Sequence, residues 1–369
     1  MKFLVALSVL VIRSYSPSAQ ITLTQLPSGG NKKAVIGERV GLTDILINYS
    51  RPAVKGREGK IWGDLIPVGY IDQGFGSGGL SPWRAGANES TTIEFSNDVI
   101  INGSPLKKGK YGFFIAYSPE ESTVIFSSVA TDWGSYYYNQ AEDALRVNVK
   151  PERISNKVEW LKYEFSDQTE NAATISLFWE KLKIPFRVET DYIKHQIESF
   201  RTELRTQRGF YWLPWNQAAQ WCLQRNVNLE QALQWSDSAT SATFGGNNQF
   251  PAKVTRAQLL EKLGRKDEGR RIIRDALPLG GMNELHNYAR NLVSQGRTQE
   301  AMEIFQFNYK KFPDQFTSLI GMTRGYSAVA DYKKARRYAE KALPLAPDSL
   351  NKSSVETMIK KLEAGENVN

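Results

Sequence analysis

The sequence predicts a two-domain chain of mixed class, an antiparallel β-sandwich or barrel followed by an α-helical solenoid. Three observations carry this prediction. From about Ile21 to Thr190 apolar residues recur with a period near two, and after Asp191 the period becomes 3.6. Charge divides at the same place, since residues 21–190 carry 19 basic against 20 acidic side chains while residues 191–369 carry 26 against 19. The chain of 369 residues is 41% hydrophobic and 23% charged, enough apolar material for packed cores. The expected division is a signal segment over 1–19, a β domain over 20–190, a linker helix over 191–212 and helical repeats over 213–369.

At the N-terminus, Lys2 precedes an apolar run from Phe3 to Ile12, and Ser14, Ser16, Pro17, Ser18 and Ala19 follow it. A positive residue, a short apolar stretch and small residues in that order predict an export signal. The run is about half the ~20 residues that span a bilayer, so no permanent membrane span is expected. Arg13 and Pro17 leave the scissile bond open.

In the β half, Ala173, Ile175, Leu177 and Trp179 alternate with wetter neighbours, as do Leu182, Ile184, Phe186 and Val188. Leu161, Tyr163 and Phe165 repeat the pattern, and so do Leu145, Val147 and Val149. Alternation puts successive side chains on opposite faces, the mark of a half-buried strand. Asn102-Gly103 follows Val99-Ile100-Ile101 and predicts a chain reversal, because that pair tolerates positive φ at both central positions of a tight turn.

In the helical half, Ile193, Ile197, Phe200 and Leu204 share one stripe behind Asp191, a suitable N-cap. Further on, an offset of 34 residues relates Leu285 to Leu319, Gly296 to Ala330, Ala301 to Ala335 and Pro313 to Pro347. These residues, with Tyr288, Ala289, Leu292 and Phe305 in one unit and Met322, Tyr326 and Ala342 in the next, resemble the tetratricopeptide helix-turn-helix repeat. Ala257, Leu260, Gly264, Gly269, Ile273 and Ala276 match at an offset of 32, and Trp215 to Ala239, with Ala232 at the crossing, matches poorly. Ser353 to Leu362 is expected to close the stack.

Composition excludes several chemistries. With one cysteine and two histidines in the chain, no internal disulfide can form, and no zinc site built from four cysteines, or from two cysteines with two histidines, is possible. Both histidines, His195 and His286, lie in the helical half, so the β half can assemble neither a Ser-His-Asp nor a Cys-His system. Cys222 beside Trp221 reads as a packed apolar residue. No metal and no cofactor are expected. The basic residues around Arg265 to Arg274 are interleaved with Asp267, Glu268 and Asp275, so nucleic acid is not expected as a partner.

One dense constellation stands out in the β half. Tyr49-Ser50-Arg51-Pro52 is followed by Gly56-Arg57, by Lys60-Ile61-Trp62-Gly63, and by Trp83-Arg84-Ala85-Gly86-Ala87-Asn88-Glu89 leading to Thr91-Thr92-Ile93. Guanidinium groups grip carboxylate or phosphate, and indole faces stack on sugars or cations. Arg51, Arg57, Lys60, Trp62, Trp83, Arg84, Asn88 and Glu89 are therefore candidate binding residues for a small polar or saccharide ligand. Two readings stay open, such a ligand site or a salt-bridged corner in which Arg51 or Arg84 pairs with Glu89 or Asp44. These motifs, with a later Lys-x-Gly-x-Tyr strand and Trp133-Gly134, resemble an uncharacterised family of exported bacterial β-domains over roughly Gln25 to Glu189. The resemblance implies the periplasm or outer envelope of a Gram-negative bacterium, often beside tetratricopeptide repeats, and implies no activity. Glu58-Gly59 and the Gly-rich stretch Ile71 to Pro82 stand as insertions against its pattern. Tyr136-Tyr137-Tyr138 is either a sugar platform or a core-and-rim run.

In the helical half, Arg290 and Arg324 occupy one repeat position on successive inner helices, with His286 and Asn283 nearby, and are candidates to hold an acidic peptide or a C-terminal carboxylate. The function expected is an exported envelope scaffold, its β domain binding a ligand and its repeats a protein partner. The alternatives are a carboxylate-based glycan hydrolase using Glu89 with Asp44 or Asp64, and a purely structural assembly factor.

Overall fold

The computed structural model describes residues 30–369, so the export segment expected over 1–19 lies outside the described residues. No helix among the described residues is long and apolar enough to cross a membrane. The chain forms two compact units that divide after His195.

The first unit contains β1 (Lys32–Val40), β2 (Thr43–Arg51), β3 (Ile71–Asp72), β4 (Leu80–Ser81), β5 (Thr91–Phe95) and β6 (Val99–Ile101). It continues with β7 (Ser104–Leu106), β8 (Gly109–Ala116), β9 (Ser122–Ser127), β10 (Asp143–Val149), β11 (Glu152–Ser166) and β12 (Ala172–Glu189). A six-stranded sheet has the order β1-β2-β5-β8-β9-β10, a four-stranded sheet the order β11-β12-β6-β7, and β3 pairs with β4 alone. One apolar core joins Ile45, Ile47, Phe113 and Phe126 of the larger sheet to Tyr163, Leu177 and Phe186 of the smaller. The architecture is thus the sandwich of the two expected alternatives. The reversal at Asn102-Gly103 is a two-residue hairpin between β6 and β7, with φ of 46° and 84° at its central residues.

β12 explains why its sequence shows two alternating runs out of phase. Up to Trp179 the odd-numbered residues are buried, and from Leu182 the even-numbered ones are. The phase changes at Glu180, which has φ of 55° and lies where the β11–β12 register shifts. The left-handed backbone at Glu180 breaks the alternation and turns the rest of the strand over, so both arms present apolar side chains to the core.

The helical region runs through α1 (Tyr192–Glu203), α2 (Trp212–Arg225), α3 (Leu229–Ala239), α4 (Phe250–Lys262) and α5 (Lys266–Ala276). It ends with α6 (Met282–Ser294), α7 (Thr298–Lys311), α8 (Phe316–Ala328), α9 (Tyr332–Ala342) and α10 (Ser349–Glu363). Consecutive helices from α2 to α9 pack as antiparallel hairpins, and α10 covers the last. Ala232, Ala301 and Ala335 are wholly buried where the hairpin helices cross. At the corresponding Gly269 a β-carbon would stand 2.7 Å from the carbonyl oxygen of Ala257, so no side chain fits. Cys222 is fully buried on α2, and burial pushes its thiol up to about 11, leaving it protonated at neutral pH.

Candidate functional site

In the β domain the candidate cations turn toward main-chain acceptors. Arg57 donates from Nε to the Val54 carbonyl at 3.0 Å and from Nη2 to the Ala53 carbonyl at 2.7 Å, closing the turn that follows β2. Arg51 Nε donates to the Leu161 carbonyl at 2.8 Å and ties β2 to β11. Arg84 Nη1 donates to the Asn88 carbonyl at 2.8 Å, and its guanidinium lies over the Tyr136 ring, 5.6 Å from the centroid. The same guanidinium presses on Gly134, where a β-carbon would meet Arg84 Nη1 at 2.8 Å. Lys60 is exposed on the turn above Ile61.

The two candidate indoles meet each other. Trp62 stands edge-on to Trp83 at 5.5 Å and to Trp179 at 6.0 Å, and tilts against Tyr117 at 4.8 Å. Trp83 Nε1 donates to the Gly86 carbonyl at 3.0 Å, which fixes the loop carrying Arg84. Asn88 adopts φ of 60° and accepts from Asn31 Nδ2 at 3.1 Å.

The Gly-rich stretch Ile71 to Pro82 folds onto the loop after Trp133. Gln73 Nε2 donates to Ser135 Oγ at 2.7 Å, and the Ser77 amide donates to the Tyr136 carbonyl at 2.9 Å. Phe75, itself exposed, packs edge-on to Tyr136 at 5.6 Å and near exposed Tyr137 at 6.5 Å. Tyr138 is buried and donates to Asp143 at 2.6 Å, so Tyr136, Tyr137 and Tyr138 divide between rim and core. Glu58-Gly59 is also anchored, since the Gly59 amide donates to Glu180 Oε1 at 2.6 Å and Glu58 pairs with Lys157 at 2.7 Å.

The candidate carboxylates stand apart. Glu89 pairs with Lys33 at 2.6 Å and accepts from Ser50 Oγ at 3.3 Å, and the Lys33 bond holds its carboxyl below the usual range. Asp44 sits at the opposite end of β2, where Arg39 grips it at 2.7 and 3.0 Å and lowers its pKa. Ser50 lies about six residues of strand from Asp44, roughly 20 Å at the rise of an extended chain. Paired glycosidase carboxyls stand about 5–9 Å apart. Asp64 is exposed on the Trp62–Ile66 turn.

In the helical half the candidates converge. Asn283, His286 and Arg290 of α6, with Thr317, Ile320 and Arg324 of α8, line one pocket of about 280 Å³. The closing helix completes it with Asn351, Ser354 and Met358, the residues one further 34-residue step along each row. Three rows of three positions therefore face the same hollow, and no Asp or Glu lines it among the described residues. Sequence reasoning named Asn283, His286, Arg290 and Arg324 and missed Thr317, Ile320 and the residues of α10, although the same offset pointed to them.

Burial and neighbouring charge shape this pocket. His286 is buried against Phe305, and desolvation, then Arg324 and Arg290, push its pKa down to about 4, so the ring is neutral at pH 7. Burial first and Arg290 second lower the pKa of Arg324. Its Nη1 donates to the Val368 carbonyl at 3.1 Å, while its Nε and His286 Nδ1 have no partner among the described residues. An oxyanion entering here would relieve the repulsion between the cations and satisfy donors already in place.

Residues 31–188 match the family model described as a protein of unknown function (DUF2911). No curated protein matches the chain. Among solved structures, MamA 41-end from Desulfovibrio magneticus RS-1 is 13% identical, covering 46% of this chain and 94% of its own, with a TM-score of 0.26. YrrB, a TPR protein with an unusual peptide-binding site, is 18% identical, covering 44% and 99%, with a TM-score of 0.23. The MamA RS-1 ArsTM double mutant is 14% identical, covering 47% and 98%, at 0.26. The first half of the chain thus carries a DUF2911 domain, a domain of unknown function, and the helical region follows it.

Proposed function

We propose that the protein is a non-catalytic scaffold of the cell envelope whose helical half holds a partner by an acidic peptide segment or a C-terminal carboxylate. The observation that carries this reading is the pocket between α6, α8 and α10, where Arg290 and Arg324 stand together with no acid in the lining among the described residues. Two guanidiniums so placed suit a carboxylate, and Ile320, Val355 and Met358 offer an apolar wall to the side chain beside it. The Arg and Trp corner of the β domain is read as a brace for the loops after β2 and before β5. Export rests on Lys2 and the apolar run that follows it.

Fluorescence anisotropy with a labelled pentapeptide, Asp-Glu-Glu-Val-Leu, tests the pocket. Binding should weaken about tenfold when its C-terminus is amidated or when Arg290→Gln removes one exposed guanidinium. Equal affinity across the free peptide, the amide and the variant would remove the claim. Fractionation of cells, with the protein recovered in the cytoplasm, would remove the envelope address.

A further inference from the structure

The helical half has a second concavity that shares no lining residue with the pocket around Arg290. Between the α4–α5 and α6–α7 hairpins lies a cleft of about 300 Å³, floored by Ile273, Leu277, Tyr288, Leu292 and Ile304. It is continuous with a trough of about 800 Å³ that α2 also walls, the two having Glu261, Arg270, Arg297 and Glu300 in common. Five carboxamides line the trough, those of Gln220, Gln224, Gln258, Asn291 and Gln295.

The charges of this region do not cancel. Arg297 engages both nearby acids, Glu261 at 2.8 and 3.0 Å and Glu300 at 2.7 and 2.9 Å. That half-buried network holds both carboxylates on Arg297 and keeps one negative charge of its own. Lys262, Lys266, Arg270 and Arg274 line the trough or the cleft without an ion-pair partner among the described residues, and Glu303 is the one lining acid that Arg297 leaves unpaired. Five lining cations, Arg297 included, against Glu261, Glu300 and Glu303 leave an excess of two positive charges around an apolar floor.

We propose that the cleft and trough form a docking groove for an acidic, extended segment of a partner protein, with one large apolar side chain seated on Ile273 and Ile304. Carboxylates flanking that anchor meet Lys266 and Arg270. The carboxamides, each a donor and an acceptor, match the alternating N–H and C=O groups of an extended backbone. A lone small anion would leave most of the trough empty and the apolar floor unused. The groove makes the helical half bivalent, since the Arg290 pocket lies on a separate set of residues.

The full chain, labelled at isoleucine δ1 methyls, can be titrated with acetyl-Asp-Glu-Phe-Glu-Asp-amide and followed by methyl NMR. The expected result is a shift of the Ile273 and Ile304 signals, with affinity about tenfold lower when Phe is replaced by Ala, as loss of a buried aromatic side chain requires. Arg270→Glu, a change at an exposed side chain, should weaken binding by about as much. Shifts confined to Ile320, which lines the other pocket, would overturn the groove while leaving that pocket standing. Unmoved Ile273 and Ile304 signals, or undiminished affinity in Arg270→Glu with the fold intact by thermal melting, would overturn it as well.

Discussion

Arg290 and Arg324 stand 34 residues apart in the chain and one repeat apart in the stack, and each depresses the pKa of His286. Like charges placed so closely cost stability in the empty protein. The arrangement makes sense as a site prepared for an anion, because the occupant offsets the repulsion that the fold tolerates.

The pH dependence of stability should report this pocket. The pKa of His286 falls from an ordinary 6.5 to about 4 in the folded chain, so between those values the unfolded state binds the proton and the folded state does not. Stability contributed by the neutral ring is complete above about pH 6.5 and declines as pH drops toward 4, by up to about 3 kcal/mol. Urea unfolding of the helical half at pH 7.5 and pH 5 should show the decline, and His286→Gln should flatten it. An unchanged slope in the variant would assign the effect to other groups.

Arg57 and Arg84 should behave as braces. Each donates to main-chain carbonyls within its own loop, so truncation to Ala leaves acceptors short of a partner and should cost about 1–3 kcal/mol. Hydrogen exchange should rise over residues 53–57 in Arg57→Ala and over residues 84–90 and 133–138 in Arg84→Ala. Unaltered protection in both would return these residues to the ligand-binding reading.

Ala330 should be better as glycine. It lies at the turn between α8 and α9 with φ of 61°, the place that Gly264 and Gly296 hold in the preceding repeats with φ of 83° and 75°. A β-carbon in the left-handed region is strained, and the residue is exposed, so Ala330→Gly should stabilise the repeats by about 0.5–1 kcal/mol. A lower melting temperature would contradict this.

The sequence made the class of each half legible because period and phase are carried by side chains. The 34-residue offset placed Ala301 and Ala335 at the crossings, and the two alternating runs around Trp179 and Leu182 were visible in the order of residues alone. Strand order was not legible, since β6 and β7 leave for the smaller sheet on pairings that no local pattern records. The Arg and Trp corner was legible as a cluster and not as a brace. Its acceptors are the carbonyls of Ala53, Val54, Gly86, Asn88 and Leu161, and every residue type carries a carbonyl. The converging rows of the Arg290 pocket were legible through α8 only, because α10 reads as a polar closing helix until its register is counted.

The phase change in β12 has a consequence for how this domain can vary. A strand straightened with Glu180 in place would turn everything from Leu182 to Val188 over, exposing Phe186 and burying Arg187. Losing that codon would instead set Trp179 and Leu182 two positions apart and keep both on the inner face. Backbone conformation at this point is therefore under tighter constraint than length, and β-branched residues, which resist positive φ, are the changes the strand is least able to absorb.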